Sequence, residues 1–216
     1  MRYCLALFDM DGTVLDTLQD LTDATNAVLR LHGFPTHSKE AVRGFVGNGA
    51  LRLIQSAVPA GTDESKIHTV LGDFKVYYGQ HSADATKPYE GVLEMLRTLR
   101  AAGVKTAVVS NKPDFAVKAL AEQYFPGLFD MAVGDREGVR KKPAPDSVLE
   151  LMRALGGTPS QSVYIGDSDV DVQTAKNAGV DGIFVSWGFR SVECLREAGA
   201  DVIVSAPLQI TKAILS

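Results

Sequence analysis

Two aspartates one residue apart, Asp9 and Asp11, close a short apolar run from Tyr3 to Phe8, and Gly12 and Thr13 follow directly. Carboxylates this close repel each other, and a cation, a shared proton or a phosphate-bound metal must relieve the repulsion. A glycine here lets the backbone turn tightly and approach a ligand. Thr13 offers a hydroxyl and an N–H suited to phosphate oxygens. Asp-Gly is also a common turn pair, so taken alone the stretch reads equally well as a plain turn.

Three further clusters of polar residues follow. Val108-Val109 gives way to Ser110-Asn111-Lys112, where a hydroxyl and the N-terminus of the next helix can receive an anion. In Lys141-Lys142-Pro143-Ala144-Pro145-Asp146, prolines stiffen an extended approach to a helix, so a lysine can present a point charge to a phosphate. Tyr164-Ile165-Gly166 runs into Asp167, Asp169 and Asp171, a density of oxygen ligands that suits Mg²⁺. Asp169 reads as a helix cap. Each cluster alone has an ordinary reading as a Ser/Asn turn, a solvated lysine pair or an N-cap. Four in order, each read at the end of a strand, are far more specific.

The stretch Phe8-Asp9-Met10-Asp11-Gly12-Thr13-Val14-Leu15-Asp16-Thr17 resembles the first motif of the haloacid dehalogenase-like superfamily in its phosphatase form. The other three clusters resemble its remaining motifs, in the right order. The resemblance implies Mg²⁺-dependent hydrolysis of a small phosphate monoester. Asp9 would be the nucleophile that forms an aspartyl-phosphate, and Asp11 the group that protonates the leaving oxygen and later deprotonates water. Mg²⁺ would be held by Asp9, Asp167 and the backbone carbonyl of Asp11. Lys142, rather than Lys141, would be the motif lysine. Thr13, Ser110 with Asn111, and Lys142 would surround the phosphoryl oxygens. Asp171 would support the metal ligands from behind or pair with Lys142.

A second resemblance lies in Arg43-Gly44-Phe45-Val46-Gly47-Asn48-Gly49, which is similar to a segment of phosphoglycolate phosphatases and their relatives. It implies that Arg43 reaches a carboxylate or second phosphate of the substrate; an exposed helix residue before an ordinary turn is the competing reading. Ser186-Trp187-Gly188-Phe189-Arg190 also looks like this subfamily, or like plain packing. Haloacid dehalogenases lack the second aspartate that Asp11 supplies. Phosphonoacetaldehyde hydrolases need a lysine in the first cap helix, and Leu18–Leu31 has none. The β-phosphoglucomutases carry a histidine shortly after the first motif, where this chain has Thr17-Leu18-Gln19-Asp20. Mutase-like transfer and pyrophosphate hydrolysis remain as alternatives on the same site. An inactive phospho-ligand binding module should have lost one of Asp9, Asp11, Lys142 or Asp167, and none is missing.

The elements that must position these residues alternate. Leu18, Leu21, Ala24, Val28 and Leu31 recur at helical spacing until Gly33 and Pro35. Helices are predicted over Ser38–Phe45, Ala50–Ala57 and Asp63–Gln80, with no convincing strand between 17 and 82. From Pro88 onward, helices Gly91–Ala102, Pro113–Tyr124, Asp146–Leu155, Val170–Ala178, Ser191–Ala198 and one from Pro207 alternate with strands Lys105–Ser110, Met131–Val133, Ser162–Ile165, Gly182–Val185 and Val202–Val204. The pattern predicts an α/β fold: a Rossmann-like, doubly wound parallel sheet interrupted after its first strand by an all-helical insertion. The core is expected over 1–16 and 83–216, and a helical cap over 17–82, standing over the carboxyl end of the sheet.

Composition excludes some classes. With 216 residues, 45% hydrophobic, and a net charge of −4, the chain has no basic field to attract nucleic acid. No apolar run is long enough for a membrane span, and the first strand begins too early to leave room for a signal peptide. Cys4 and Cys194 are not expected to pair, which fits a reducing, cytoplasmic setting. The expected partner is a small phosphorylated metabolite, with the oligomeric state left open.

Overall fold

The computed structural model describes residues 2–216. Its centre is β1 (Leu5–Phe8), buried at every position because parallel strands flank it on both sides. Those neighbours are β4 (Lys105–Pro113) and β6 (Ser162–Gly166). With β5 (Met131–Asp135), β7 (Asp181–Val185) and β8 (Ile203–Val204), the six-stranded order is β5-β4-β1-β6-β7-β8. The sheet is parallel throughout. The helices α5 (Val92–Ala101), α6 (Asp114–Tyr124), α7 (Asp146–Leu155), α8 (Asp169–Ala178), α9 (Val192–Glu197) and α10 (Pro207–Leu215) complete the alternation. Alternating side chains of β1 serve opposite layers: Ala6 and Phe8 join one apolar cluster, Leu5 and Leu7 the other.

Between β1 and the rest lie α1 (Leu18–Leu31), α2 (Lys39–Phe45), α3 (Ala50–Ala57) and α4 (Glu64–His81). Ser38 and Asp63 cap the second and fourth of these by accepting the Ala41 and Lys66 N–H groups. Their apolar side chains, among them Leu21, Val28, Leu29, Leu53, Ile54 and Phe74, form a cluster of their own, which Ala116 and Phe189 join. Each such large side chain contributes roughly 1.5–3 kcal/mol on burial. Leu31 departs from the predicted stripe: it is 70% exposed at the last turn of α1, where Leu29 takes the inward place.

Two short strands lie outside the predicted pattern. β2 (Leu15–Asp16) pairs antiparallel with β3 (Lys87–Pro88), so the chain leaves and re-enters the sheet layer side by side. Buried Asp20 fastens this junction by accepting the Ala85 and Thr86 N–H groups at 2.9 Å each. Lys142–Pro145 forms a turn with a cis Lys142–Pro143 bond, not the extended approach that the prolines suggest. Both cysteines are free. Among the described residues, no helix is long and apolar enough to cross a membrane.

Candidate active site

Because β4, β1 and β6 are adjacent, their carboxyl ends deliver Ser110, Asp9 and Asp167 to one rim of the sheet. A cleft opens there, walled on the far side by Leu21, Leu53, Phe74 and Tyr78 of the helical block. The chain turns sharply after β1, with Met10 O accepting the Val14 and Leu15 N–H groups at 3.1 and 3.0 Å. Gly12 makes the turn at φ +81, and any side chain there would overlap the Asp167 carboxylate. The close approach this glycine permits is therefore to an aspartate across the rim. The pairing of β4 with β5 shifts register between Val109 and Pro113, which aims Ser110, Asn111 and Lys112 into the cleft.

Lys142 is the electrostatic hub. Its Nζ lies 2.9 Å from Asp9 Oδ1 and donates to Asp171 Oδ1 at 2.7 Å and to Tyr164 Oη at 3.0 Å. Burial opposes its charge, but Asp171 and Asp9 outweigh that effect and hold the ammonium protonated well above its ordinary range. Asp171 is fully occupied: Oδ2 accepts the Asp167 and Ser168 N–H groups and the Ser168 hydroxyl at 3.2, 3.1 and 2.6 Å. The cap of α8 is thus Ser168, whose side chain accepts from Asp171 N. Asp169, expected as the cap from the sequence, is the first helical residue and lies 3.5 Å from Arg190 Nε.

Asp9, Asp167 and Asp171 each bring one carboxylate oxygen within 4.8 Å of the others, and all are buried. One ammonium faces these three carboxylates, so two negative charges lack a counter-ion. Burial accordingly pushes Asp9 up to about 7 against the pull of Lys142, and lifts Asp167 well above the carboxylate range, with Asp171 and Asp9 adding to it. An excess of buried carboxylate oxygen fits a hard divalent cation. With Asp171 saturated by hydrogen bonds, Asp9 and Asp167 are the carboxylates with room to hold it. Phe189 N–H and the Thr13 hydroxyl fix Asp167 at 2.6 and 3.1 Å.

The remaining candidates fall in different places. Thr13 spends its hydroxyl on Asp167, and Trp187 Nε1 donates to its carbonyl at 3.1 Å. Ser110 lines the cleft, and its oxygen accepts the Lys112 N–H at 3.3 Å. Asn111 also lines it, but its amide is engaged: Nδ2 donates to Gly47 O and Lys142 O at 3.0 Å, and Oδ1 accepts the Lys142 N–H at 2.8 Å. It places Lys142 and grips the α2–α3 loop. Arg43 stands on α2 beside Glu40, 3.4 Å away, and does not line the cleft. Asp11 does line it, its carboxylate turned to Lys112 Nζ at 2.9 Å and to the Thr17 hydroxyl at 2.6 Å.

Lys112, Tyr78 and Arg190 join the site without having been expected there. Arg190 reaches from the loop after β7 to donate to Arg43 O at 3.0 Å and Val46 O at 2.6 Å. A side chain on the neighbouring Gly188 would collide with Asp167. The segment Ser186–Arg190 stands out in the sequence, but its arginine contacts depend on folding across more than 140 residues. Lys112 belongs to the second polar cluster, and the apolar strand that leads into it is the signal that could have found it.

Residues 6–185 match the family of haloacid dehalogenase-like hydrolases. A phosphoglycolate phosphatase of Pseudomonas putida is 38% identical over 191 residues, covering 86% of this chain and 70% of the relative. An N-acetylmuramic acid 6-phosphate phosphatase of Pseudomonas aeruginosa is 32% identical and covers 97% and 94%. A crystal structure from Lactobacillus delbrueckii, of a protein provisionally named phosphoglycolate phosphatase, superposes with a TM-score of 0.94 at 40% identity over 99% of both chains. The chain therefore belongs to the haloacid dehalogenase-like hydrolases, among the phosphatases of phosphoglycolate phosphatase type.

Proposed function

We propose that this protein is a Mg²⁺-dependent phosphatase that hydrolyses a small phosphate monoester through an aspartyl-phosphate on Asp9. The observation that carries the reading is the meeting of Asp9, Lys142 and Asp167 at one buried rim that opens onto a cleft. Residues 1–16 and 83–216 would form the catalytic core and 17–82 the cap, in keeping with the separate apolar cluster of α1 to α4.

In this scheme Asp9 attacks phosphorus while Asp11 protonates the departing ester oxygen, and water activated by Asp11 then frees the enzyme. Mg²⁺, held by Asp9, Asp167 and the Asp11 carbonyl, would offset the repulsion between an anionic nucleophile and a dianionic phosphate. The Lys142 ammonium stabilises charge on the phosphoryl group beside Asp9, and the Ser110 hydroxyl hydrogen is available to a phosphoryl oxygen. The Thr13 hydroxyl serves instead to orient Asp167.

Phosphoglycolate is the first substrate to try, given the names of several relatives. A phosphorylated sugar acid is the second reading, supported by the relative of matching length that acts on N-acetylmuramic acid 6-phosphate. The test is hydrolysis of a panel of both classes, with p-nitrophenyl phosphate as a general probe. Turnover should require Mg²⁺, disappear with chelator and vanish in Asp9→Asn. A folded Asp9→Asn protein with near-normal turnover would defeat the scheme.

A further inference from the structure

Lys112 is a buried cation that the chemistry above does not use. Its side chain is 2% exposed, it lines the cleft, and its Nζ donates to the Tyr78 hydroxyl at 2.6 Å while pairing with Asp11 Oδ1 at 2.9 Å. Burial opposes its charge, yet Asp11 and Tyr78 more than compensate and keep it an ammonium. The Thr17 hydroxyl donates to the same Oδ1 at 2.6 Å. Asp11 Oδ2 accepts no hydrogen bond from any described residue. A carboxylate gripped by two donors on one oxygen cannot rotate freely, and its second oxygen is left for a proton. Tyr78 belongs to α4, is 1% exposed and stacks on Phe74 at 5.5 Å, so its hydroxyl is fixed by the packing of the helical block.

We propose that Lys112 and Tyr78 are positioning residues for the proton transfer: with Thr17 they lock Asp11 Oδ1 so that Oδ2 faces the leaving oxygen and carries the proton. As Asp9 bonds to phosphorus, the ester P–O bond breaks, its electron pair stays on the ester oxygen, and that oxygen takes the proton from Oδ2. Asp11 is left as a carboxylate beside the Lys112 ammonium. In the second half, Oδ2 recovers a proton from the attacking water as the Asp9–phosphorus bond opens. Through Tyr78, the helical block helps align the acid at the sheet rim. The inference rests on the assignment of Asp11 as the acid.

The test is the dependence of kcat/KM on leaving-group basicity, measured with saturating Mg²⁺ across aryl phosphates from p-nitrophenyl to phenyl phosphate. A good leaving group needs little protonation, so a misplaced acid harms basic leaving groups most. Tyr78→Phe should cost phenyl phosphate about threefold more than it costs p-nitrophenyl phosphate, with a larger gap in Lys112→Met, inside the range of acid–base contributions. Lys112→Arg should restore part of the loss, which covers the case in which Lys112→Met fails to fold. Asp11→Asn is the reference and should show the steepest dependence. If it does while folded Tyr78→Phe and Lys112→Arg lose activity equally on every ester, the positioning role is overturned alone. If Asp11→Asn itself loses all esters equally, the acid assignment falls and the proposal with it.

Discussion

Asp171 holds Lys142 from behind: the ammonium donates to Asp171 Oδ1 at 2.7 Å, and the same Lys142 Nζ lies 2.9 Å from Asp9 on its other side. Asp171 has no exposed side-chain surface. The residue best placed to aim the lysine is thus one that faces no cleft.

Removing that support should be costly. Asp171→Ala strips partners from the Lys142 ammonium, the Tyr164 hydroxyl, and the Asp167 and Ser168 amides. The ammonium keeps Asp9, but leaving the buried hydroxyl and amide donors without an acceptor costs about 1–3 kcal/mol. Denaturant unfolding should show a loss of that order, together with activity well below what the folded fraction accounts for. An unchanged midpoint would mean that the pair is not formed.

A second expectation concerns Asp167. Burial and the neighbouring Asp171 and Asp9 disfavour an ionised Asp167, so Asp167→Asn should stabilise the metal-free protein by replacing a group that must take up a proton on folding. The Asn oxygen can keep the Phe189 N–H, and the Thr13 hydroxyl can turn to accept from the amide. At a Mg²⁺ concentration about a hundred times its dissociation constant, the parent should gain about 2.7 kcal/mol. Asp167→Asn should gain almost nothing. Thermal unfolding of both proteins with and without MgCl₂ reads this directly, and an equal Mg²⁺ response would place the ion elsewhere.

The strand-end acids are legible because apolar runs stop abruptly at Asp9 and Asp167, and a buried parallel strand that ends in carboxylates delivers them to the rim where such sheets bind ligands. Ser110 is legible for the same reason. The partners of these groups are not. Nothing local in Tyr78 or Arg190 distinguishes a packed aromatic or a surface arginine from one that meets the rim, since both act across distances that the sheet order creates. Ser168 and Asp169 are adjacent and both cap helices well, so sequence alone cannot choose between them. β2 and β3 are two residues each, too short for any periodicity to show. Leu31 illustrates the converse error: a helical period continues to the last turn, where no neighbouring helix remains to cover it.

The pH dependence of metal-free stability follows from Asp9. Its carboxyl is raised to about 7 in the folded protein, against about 3.9 in an unfolded chain. Between those values the folded state binds more protons than the unfolded one, so this group makes stability fall as pH rises from about 4 to about 7. The slope from one such group approaches about 1.4 kcal/mol per pH unit at most. Asp114 and Asp130, both held below the usual range, act oppositely at lower pH. The informative quantity is therefore the difference between the parent and Asp9→Asn, measured by denaturant unfolding in chelator. The variant should gain on the parent across that window, and Mg²⁺ should erase the parent's deficit. A constant difference across the window would show that Asp9 does not titrate there.

The contact between the α2–α3 loop and the rim gives the last expectation. Arg190 donates to the carbonyls of Arg43 and Val46, and Asn111 to that of Gly47, so two side chains of the sheet layer hold consecutive backbone of the helical block. Two of these carbonyls belong to Val46 and Gly47, which line the cleft. Arg190→Met keeps much of the side-chain volume but removes every donor, and leaves the buried Val46 with an unpaired carbonyl, at a cost of about 1–3 kcal/mol. Asn111→Ala loosens the same loop and also frees Lys142. If the loop acts as one wall of the binding site, Arg190→Met should raise KM several-fold with a smaller change in kcat, and limited proteolysis should cut near 43–49 faster than in the parent. The two substitutions share one loop, so their effects on KM should combine to less than the product of the separate effects. Strict multiplication in a double-mutant cycle would show that the residues act on unconnected parts of the site.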